Sequence, residues 1–233
     1  MYILILGLDH SRTTVTDIWL GEAIGAISLG EVRRTISPRG KELENRQLCT
    51  CGESFMKCTV WNRYTDGSLF EQADVCVIDS SKDIKHYKTT ISSKNDFCTI
   101  LVIRRFKNWF ASITEARRRN NNEKFSSIFS DRYFFWANLR LYLRKFYVVA
   151  YLEWLITHLR FILAIEGQAY VITSSNDLLR IASKLRRNDE RLHQRHIVRG
   201  NRISNSGAII LKEFDERGIL PNIIKLYLER NNG

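Results

Sequence analysis

Proline is nearly missing from this chain of 233 residues, which has two, and no long apolar run goes uninterrupted. With 44% of its residues hydrophobic, a chain so poor in proline reads as globular rather than disordered. The longest apolar stretch, Phe146 to Ile165, is broken by Glu153, His158 and Arg160 and makes a poor membrane span. A secretory signal is not evident either, because the opening apolar run is short and lacks both a basic leader and a small-residue cleavage pattern. No internal repeat is present. These absences lead to the expectation of a cytoplasmic chain, one domain over 1–233, with no transmembrane segment and length enough for a large core.

What is abundant is positive charge. A formal net charge of +11 calls for anionic partners, such as a nucleotide or an acidic glycan or lipid. Nucleic acid is the rival partner, on the strength of the run Lys184 to His196 and of Arg117-Arg118-Arg119. Neither run has interleaved aromatics, and no nucleic-acid motif accompanies them, so both read mainly as solvated helix faces.

Five cysteines in a chain without an export signal read as thiols rather than disulfides. Cys49, Cys51 and Cys58 are spaced closely enough to share a metal, but Cys-x-Cys-x6-Cys supplies three ligands with no obvious fourth, so no metal is expected. Cys76 and Cys98 adjoin apolar strand residues and fit burial as small hydrophobes.

Short apolar runs alternate with helical patterns. Strands are expected at 2–6, 75–78, 99–103 and 170–173. Helices are expected at about 14–27, 107–119, within 131–166, at 176–187 and around 208–230, with a Cys-bearing insertion near 37–68. This order predicts an α/β three-layer sandwich with a central, mostly parallel sheet and ligands at the carboxyl ends of its strands. The aromatic stripe from Phe125 to Trp154 reads as core, with Tyr133, Phe134 or Trp136 available to line a pocket.

The first strand, Ile3 to Leu6, runs through Gly7 into His10-Ser11-Arg12-Thr13-Thr14 and then a helical segment. Free N–H groups at a helix start, with hydroxyls and a cation beside them, form an anion site. A P-loop would need a lysine and a second glycine, which are missing here.

Taken together, five stretches in order resemble sulfotransferases that use 3′-phosphoadenosine 5′-phosphosulfate (PAPS). They are the loop His10 to Thr14; Cys49-x-Cys51-Gly52 with Cys58-x-x-Trp61; Asp79-Ser80-Ser81-Lys82; Arg104 with Ser112; and His196-x-x-x-Gly200-Asn201. The resemblance spans roughly residues 2 to 215 and implies a P-loop NTPase-like fold. It implies a sulfotransferase moving a sulfuryl group from PAPS to a hydroxyl acceptor, with no metal required. His10, Ser11, Arg12, Thr13 and Thr14 would hold the phosphosulfate, Arg104 and Ser112 the 3′-phosphate, and Arg199, Gly200 and Asn201 a loop closing over the nucleotide. Lys82 would be the transition-state cation, and Asp79 or His86 the base. Arg12 stands where the family has glycine, no proline follows Arg104, and Ser175-Asn176-Asp177-Leu178 matches a Tyr-Glu-Asp-Leu element only in its last two residues. The alternatives are therefore a diverged nucleotide-binding protein on the same fold, or a basic nucleic-acid-binding module.

Overall fold

The computed structural model describes residues 1–9, 11–36, 48–71, 75–82, 84–91, 96–120, 146–165, 169–186 and 194–197. Strands β1 (Tyr2–Leu6), β2 (Ile27–Gly30), β3 (Val77–Asp79), β4 (Phe97–Val102), β5 (Ala169–Ile172) and β6 (Gln194–Arg195) form one sheet in the order β5-β4-β1-β3-β2-β6. Every pairing is parallel.

All five residues of β1 are buried, as an apolar run inside a sheet covered on both faces requires. Because side chains alternate along a strand, β1 feeds two cores. Tyr2, Leu4 and Leu6 join Val77, Leu101 and Val171 under Trp61, Trp109 and Trp154. Ile3 and Ile5 join Ile78, Ile100 and Ile172 under Leu20, Ile24, Leu178 and Ile181.

Helices α1 (Thr13–Ile24) and, near the chain's end, α7 (Ser175–Leu185) supply the second core. Between them come α2 (Val32–Ile36), α3 (Thr59–Thr65), α4 (Ile84–Ile91), α5 (Phe106–Asn120) and α6 (Tyr147–Ala164), and the first core draws on all five. The result is an α/β sandwich of three layers, in agreement with the alternating pattern.

The first helix is shorter than its apolar spacing suggests. Gly25 takes a left-handed φ of 69° and stops α1, and the next residues become β2, so the expected helix end at 27 is corrected to a turn and a strand. Expected strand 75–78 is observed at Val77–Asp79, 99–103 at Phe97–Val102 and 170–173 at Ala169–Ile172. Residues Tyr133, Phe134 and Trp136 and the expected helix around 208–230 lie outside the described residues.

Helix α6, which starts after Phe146 without a side-chain cap, spans most of the interrupted apolar run and is long and apolar enough, by length and composition, to cross a membrane. One side, Ala150, Trp154, His158 and Phe161, is buried in the core, and the Trp154 indole donates to the Arg104 carbonyl at 3.0 Å. Val148, Leu152, Ile156, Leu159 and Leu163 are exposed.

Two buried titratable groups act on stability with opposite sign. Burial lowers His158 to about 4, although its Nδ1 lies 2.7 Å from the Trp154 carbonyl. The unfolded chain takes up this proton near pH 6.5, so stability falls as pH drops from there to about 4, by on the order of 3 kcal/mol. Burial raises Asp17 to about 7, so its contribution is fully present below the ordinary carboxylate pKa and is lost as pH rises toward 7. The two slopes oppose one another across the acid range. Urea midpoints measured between about pH 4 and 6.5 should therefore decline with rising pH in His158→Gln and climb more steeply than wild type in Asp17→Asn. Parallel profiles in all three proteins would contradict both assignments.

Candidate functional site

The parallel register brings four segments to one edge. Leu6 pairs with Leu101, Leu4 with Asp79, and Val102 with Ile172. The loop after β1, residues Ser80–Lys82, residues Ile103–Arg105 and Thr173 therefore all leave the sheet at its carboxyl edge. From β1 the chain crosses toward β2, and from β4 toward β5 on the other side, so the crevice between β1 and β4 is a topological switch point. Trp109 of α5 ties the two loops there, its indole donating to the Asp9 carbonyl at 2.7 Å.

At this crevice α1 begins. Ser11, Thr13 and Thr14 are buried, and among the described residues the hydroxyls of Ser11 and Thr13 have no hydrogen-bond partner. Arg12, the helix N-cap, provides no side-chain cap. The first turn thus presents uncapped N–H groups with two unsatisfied buried hydroxyls beside them, an arrangement suited to an anion. His10 lies outside the described residues.

Arg12 itself has φ 65°, the left-handed region that glycine occupies freely. This explains why glycine suits the position and what the arginine costs. Arg12→Gly should be more stable than Arg12→Ala by about 1 kcal/mol in denaturant unfolding, because only glycine relieves the backbone. Equal stability of the two variants would contradict that reading.

Across the loop stands Lys82, also left-handed with φ 59°. Its Nζ lies 2.6 Å from Glu31 Oε1 and 3.9 Å from Asp9 Oδ1. Burial would raise the Glu31 carboxyl, but Lys82 and Arg34 outweigh it and hold the group below its ordinary value. The lysine is accordingly a cation held in place at the site edge, not a mobile strand-end side chain.

Asp79 and His86, the two candidate bases, are in contact: His86 Nε2 is 2.6 Å from Asp79 Oδ2. Asp79 is fully buried and also accepts from the Tyr2 hydroxyl at 2.6 Å, the Ser81 hydroxyl and the Val32 N–H at 3.4 Å. Burial, then the carboxylate, pushes the Tyr2 phenol well above its ordinary value and keeps it a donor. With its oxygens so engaged, Asp79 is suited to orienting His86 rather than to taking a proton from substrate.

Asp17 fastens α1 to the ends of β2 and β3, accepting from the Gly30 N–H and the Ser80 hydroxyl, both at 3.1 Å. Tyr2, Asp17 and Glu31 are the site neighbours that sequence reasoning missed. Asp17 and Glu31 carried one signal each, a carboxylate inside an otherwise apolar segment and a carboxylate directly after Gly30.

Arg104, partly buried, follows the end of β4 at the carboxyl edge, and Ser112 sits in the second turn of α5. Arg199, Gly200 and Asn201 lie outside the described residues. Asp177, matched to the weak Tyr-Glu-Asp-Leu element, accepts from the Thr173 N–H and hydroxyl at 3.0 and 2.8 Å and forms a capping box with Ser174. That starts α7 and accounts for the residue structurally. The segment bearing Cys49, Cys51 and Cys58 lies at the opposite border of the sheet, beside β6, where His196 joins it; the absence of a fourth ligand, expected from the sequence, is corrected by this contact.

In comparison with known proteins, no family model, no curated protein and no solved structure matches the chain.

Proposed function

We propose that the chain binds a phosphorylated nucleotide at the β1–β4 crevice and, following its motif resemblance, acts as a PAPS-dependent sulfotransferase on a hydroxyl acceptor. The observation that carries this reading is the pair of buried, unpartnered hydroxyls of Ser11 and Thr13 at the uncapped start of α1. Buried hydroxyls without partners are costly, and an anion accepting from them and from the helix N–H groups removes the cost. Arg104, at the end of β4, supplies positive charge for the 3′-phosphate, and Lys82 is held in reserve for charge that develops on the phosphosulfate during reaction.

In the reaction the acceptor oxygen bonds to sulfur as the bond from sulfur to the bridging oxygen breaks. The electron pair leaves on the nucleotide phosphate. Lys82, fixed by Glu31, stabilises that departing charge. His86, oriented by Asp79 through Nε2, takes the acceptor proton.

A second reading, a nucleotide-binding protein that transfers nothing, is favoured by the short Lys82–Glu31 pair, which already satisfies the lysine's charge. Calorimetric titration with 3′-phosphoadenosine 5′-phosphate, ADP and AMP tests both. Preference for the 3′-phosphorylated ligand, selectively lost in Arg104→Ala, supports the nucleotide site, and turnover of labelled PAPS then separates the two readings. Indifference to all three ligands would overturn both and direct attention to salt-dependent oligonucleotide binding by the basic surface.

A further inference from the structure

We infer that Cys49, Cys51, Cys58 and His196 form a structural zinc site that clamps the Cys-bearing segment to the end of β6. Their ligand atoms, three Sγ and the His196 Nδ1, all lie within 4.8 Å of one another. The Cys51–Cys58 and Cys58–Cys49 sulfur separations are 3.7 and 3.8 Å, and His196 Nδ1 lies 3.3 Å from Cys58 and 3.7 Å from Cys49. Tetrahedral zinc with ordinary bond lengths sets its sulfurs about 3.8 Å apart and its sulfur and nitrogen ligands about 3.6 Å apart. These four separations lie within about 0.3 Å of those values, and the two between sulfurs are well beyond a sulfur–sulfur bond.

The surroundings are built to hold that arrangement. Leu48 and Ser54 form an antiparallel bridge, and the Cys49 N–H donates to the Glu53 carbonyl at 2.7 Å, closing a tight turn. Gly52, φ 94°, makes the turn possible, and its N–H donates to the Cys49 carbonyl at 2.9 Å. Backbone N–H groups of Val60 and Trp61 at the start of α3 point at the Cys58 sulfur, and that of Cys51 at the Cys49 sulfur. N–H bonds to sulfur orient it.

The fourth ligand comes from far along the chain. Its strand is latched to the same turn: the Thr50 N–H donates to the Ile197 carbonyl at 3.1 Å, the Thr50 hydroxyl to the Arg195 carbonyl at 2.8 Å, and the Trp61 indole to the His196 carbonyl at 2.7 Å. Four protein ligands close the coordination sphere, so the ion has a structural role, and three thiolates select a thiophilic cation over magnesium or calcium. Local turn and distant strand are cross-linked, and metal affinity becomes folding free energy.

The test uses the full chain, purified without a metal-chelating tag, stripped of metal and titrated with cobalt and then zinc. Expected are cobalt uptake stoichiometric with the chain, thiolate-to-cobalt charge-transfer absorption with the strong visible bands of tetrahedral cobalt, and displacement of both by zinc. Cys51 is exposed, so Cys51→Ser should still fold. It and His196→Gln should each weaken affinity by at least about 100-fold, since even outer-shell changes cost tens of fold. Chelation should lower the melting temperature of the wild type and not of these variants. Absence of tetrahedral thiolate bands in the wild type, or bands and affinity unchanged in both variants, would overturn the site.

Discussion

On the proposed sulfuryl transfer, replacing Lys82 by alanine is expected to lower turnover of PAPS by about a hundred- to a thousandfold while nucleotide affinity changes by less than about tenfold. The reason lies in how the lysine is held. Glu31, itself buried, grips Nζ at 2.6 Å, and the left-handed backbone at Lys82 turns the chain back over the β1 loop. A cation so restrained does little to recruit ligand, because Glu31 neutralises it in the resting site. It helps most when new negative charge appears on the leaving oxygen, where a preorganised charge costs no reorganisation. Single-turnover rates with labelled PAPS, set beside calorimetric affinity for the product nucleotide, separate the two effects. A variant that loses affinity and keeps its rate would move Lys82 out of the reaction and into ground-state binding.

Removing the Asp79 carboxylate should have the largest effect on stability. Asp79→Ala is expected to destabilise the protein by about 3–5 kcal/mol, since it leaves several buried donors without their acceptor. Those donors are the Tyr2 hydroxyl, His86, the Ser81 hydroxyl and the Val32 N–H, gathered from β1, α4, the β3 exit and the start of α2. The Tyr2 hydroxyl retains a contact with Tyr64 at 3.2 Å, which returns only part of the loss. Asp79→Asn keeps the volume but turns one acceptor into a donor facing donors, so it should fall between wild type and alanine. A shift in the urea midpoint at unchanged slope is the readout, and a cost below about 1 kcal/mol would show that Asp79 does not hold these elements together.

Strands β1, β3, β4 and β5 were legible in the sequence because each contains a short apolar run, as with Ile3 to Leu6 before Gly7, whereas β6, Gln194–Arg195, is two polar residues in an expected basic loop. Strand β2 was not, because Ile27 and Leu29 continue the apolar spacing of α1 and only the left-handed turn at Gly25 separates them. The positions of the candidate residues were legible where they follow a strand: Ser11, Thr13, Asp79, Lys82 and Arg104 all lie at the carboxyl edge of the sheet. Their partners were not. Glu31 meets Lys82 across 51 positions and Tyr2 meets Asp79 across 77, and no local spacing encodes such pairs.

By itself the sequence determined the alternation of strands and helices, the burial of both sheet faces and the positive charge, since each follows from local hydrophobic period or from composition. Only the tertiary structure decided which groups meet. Packing of the sheet carried Tyr2 to Asp79, 77 positions away, left two hydroxyls at the start of α1 without partners among the described residues, and brought His196 to three cysteines 138 to 147 positions away, because long-range pairing is set by packing of the whole sheet and not by any segment of the chain.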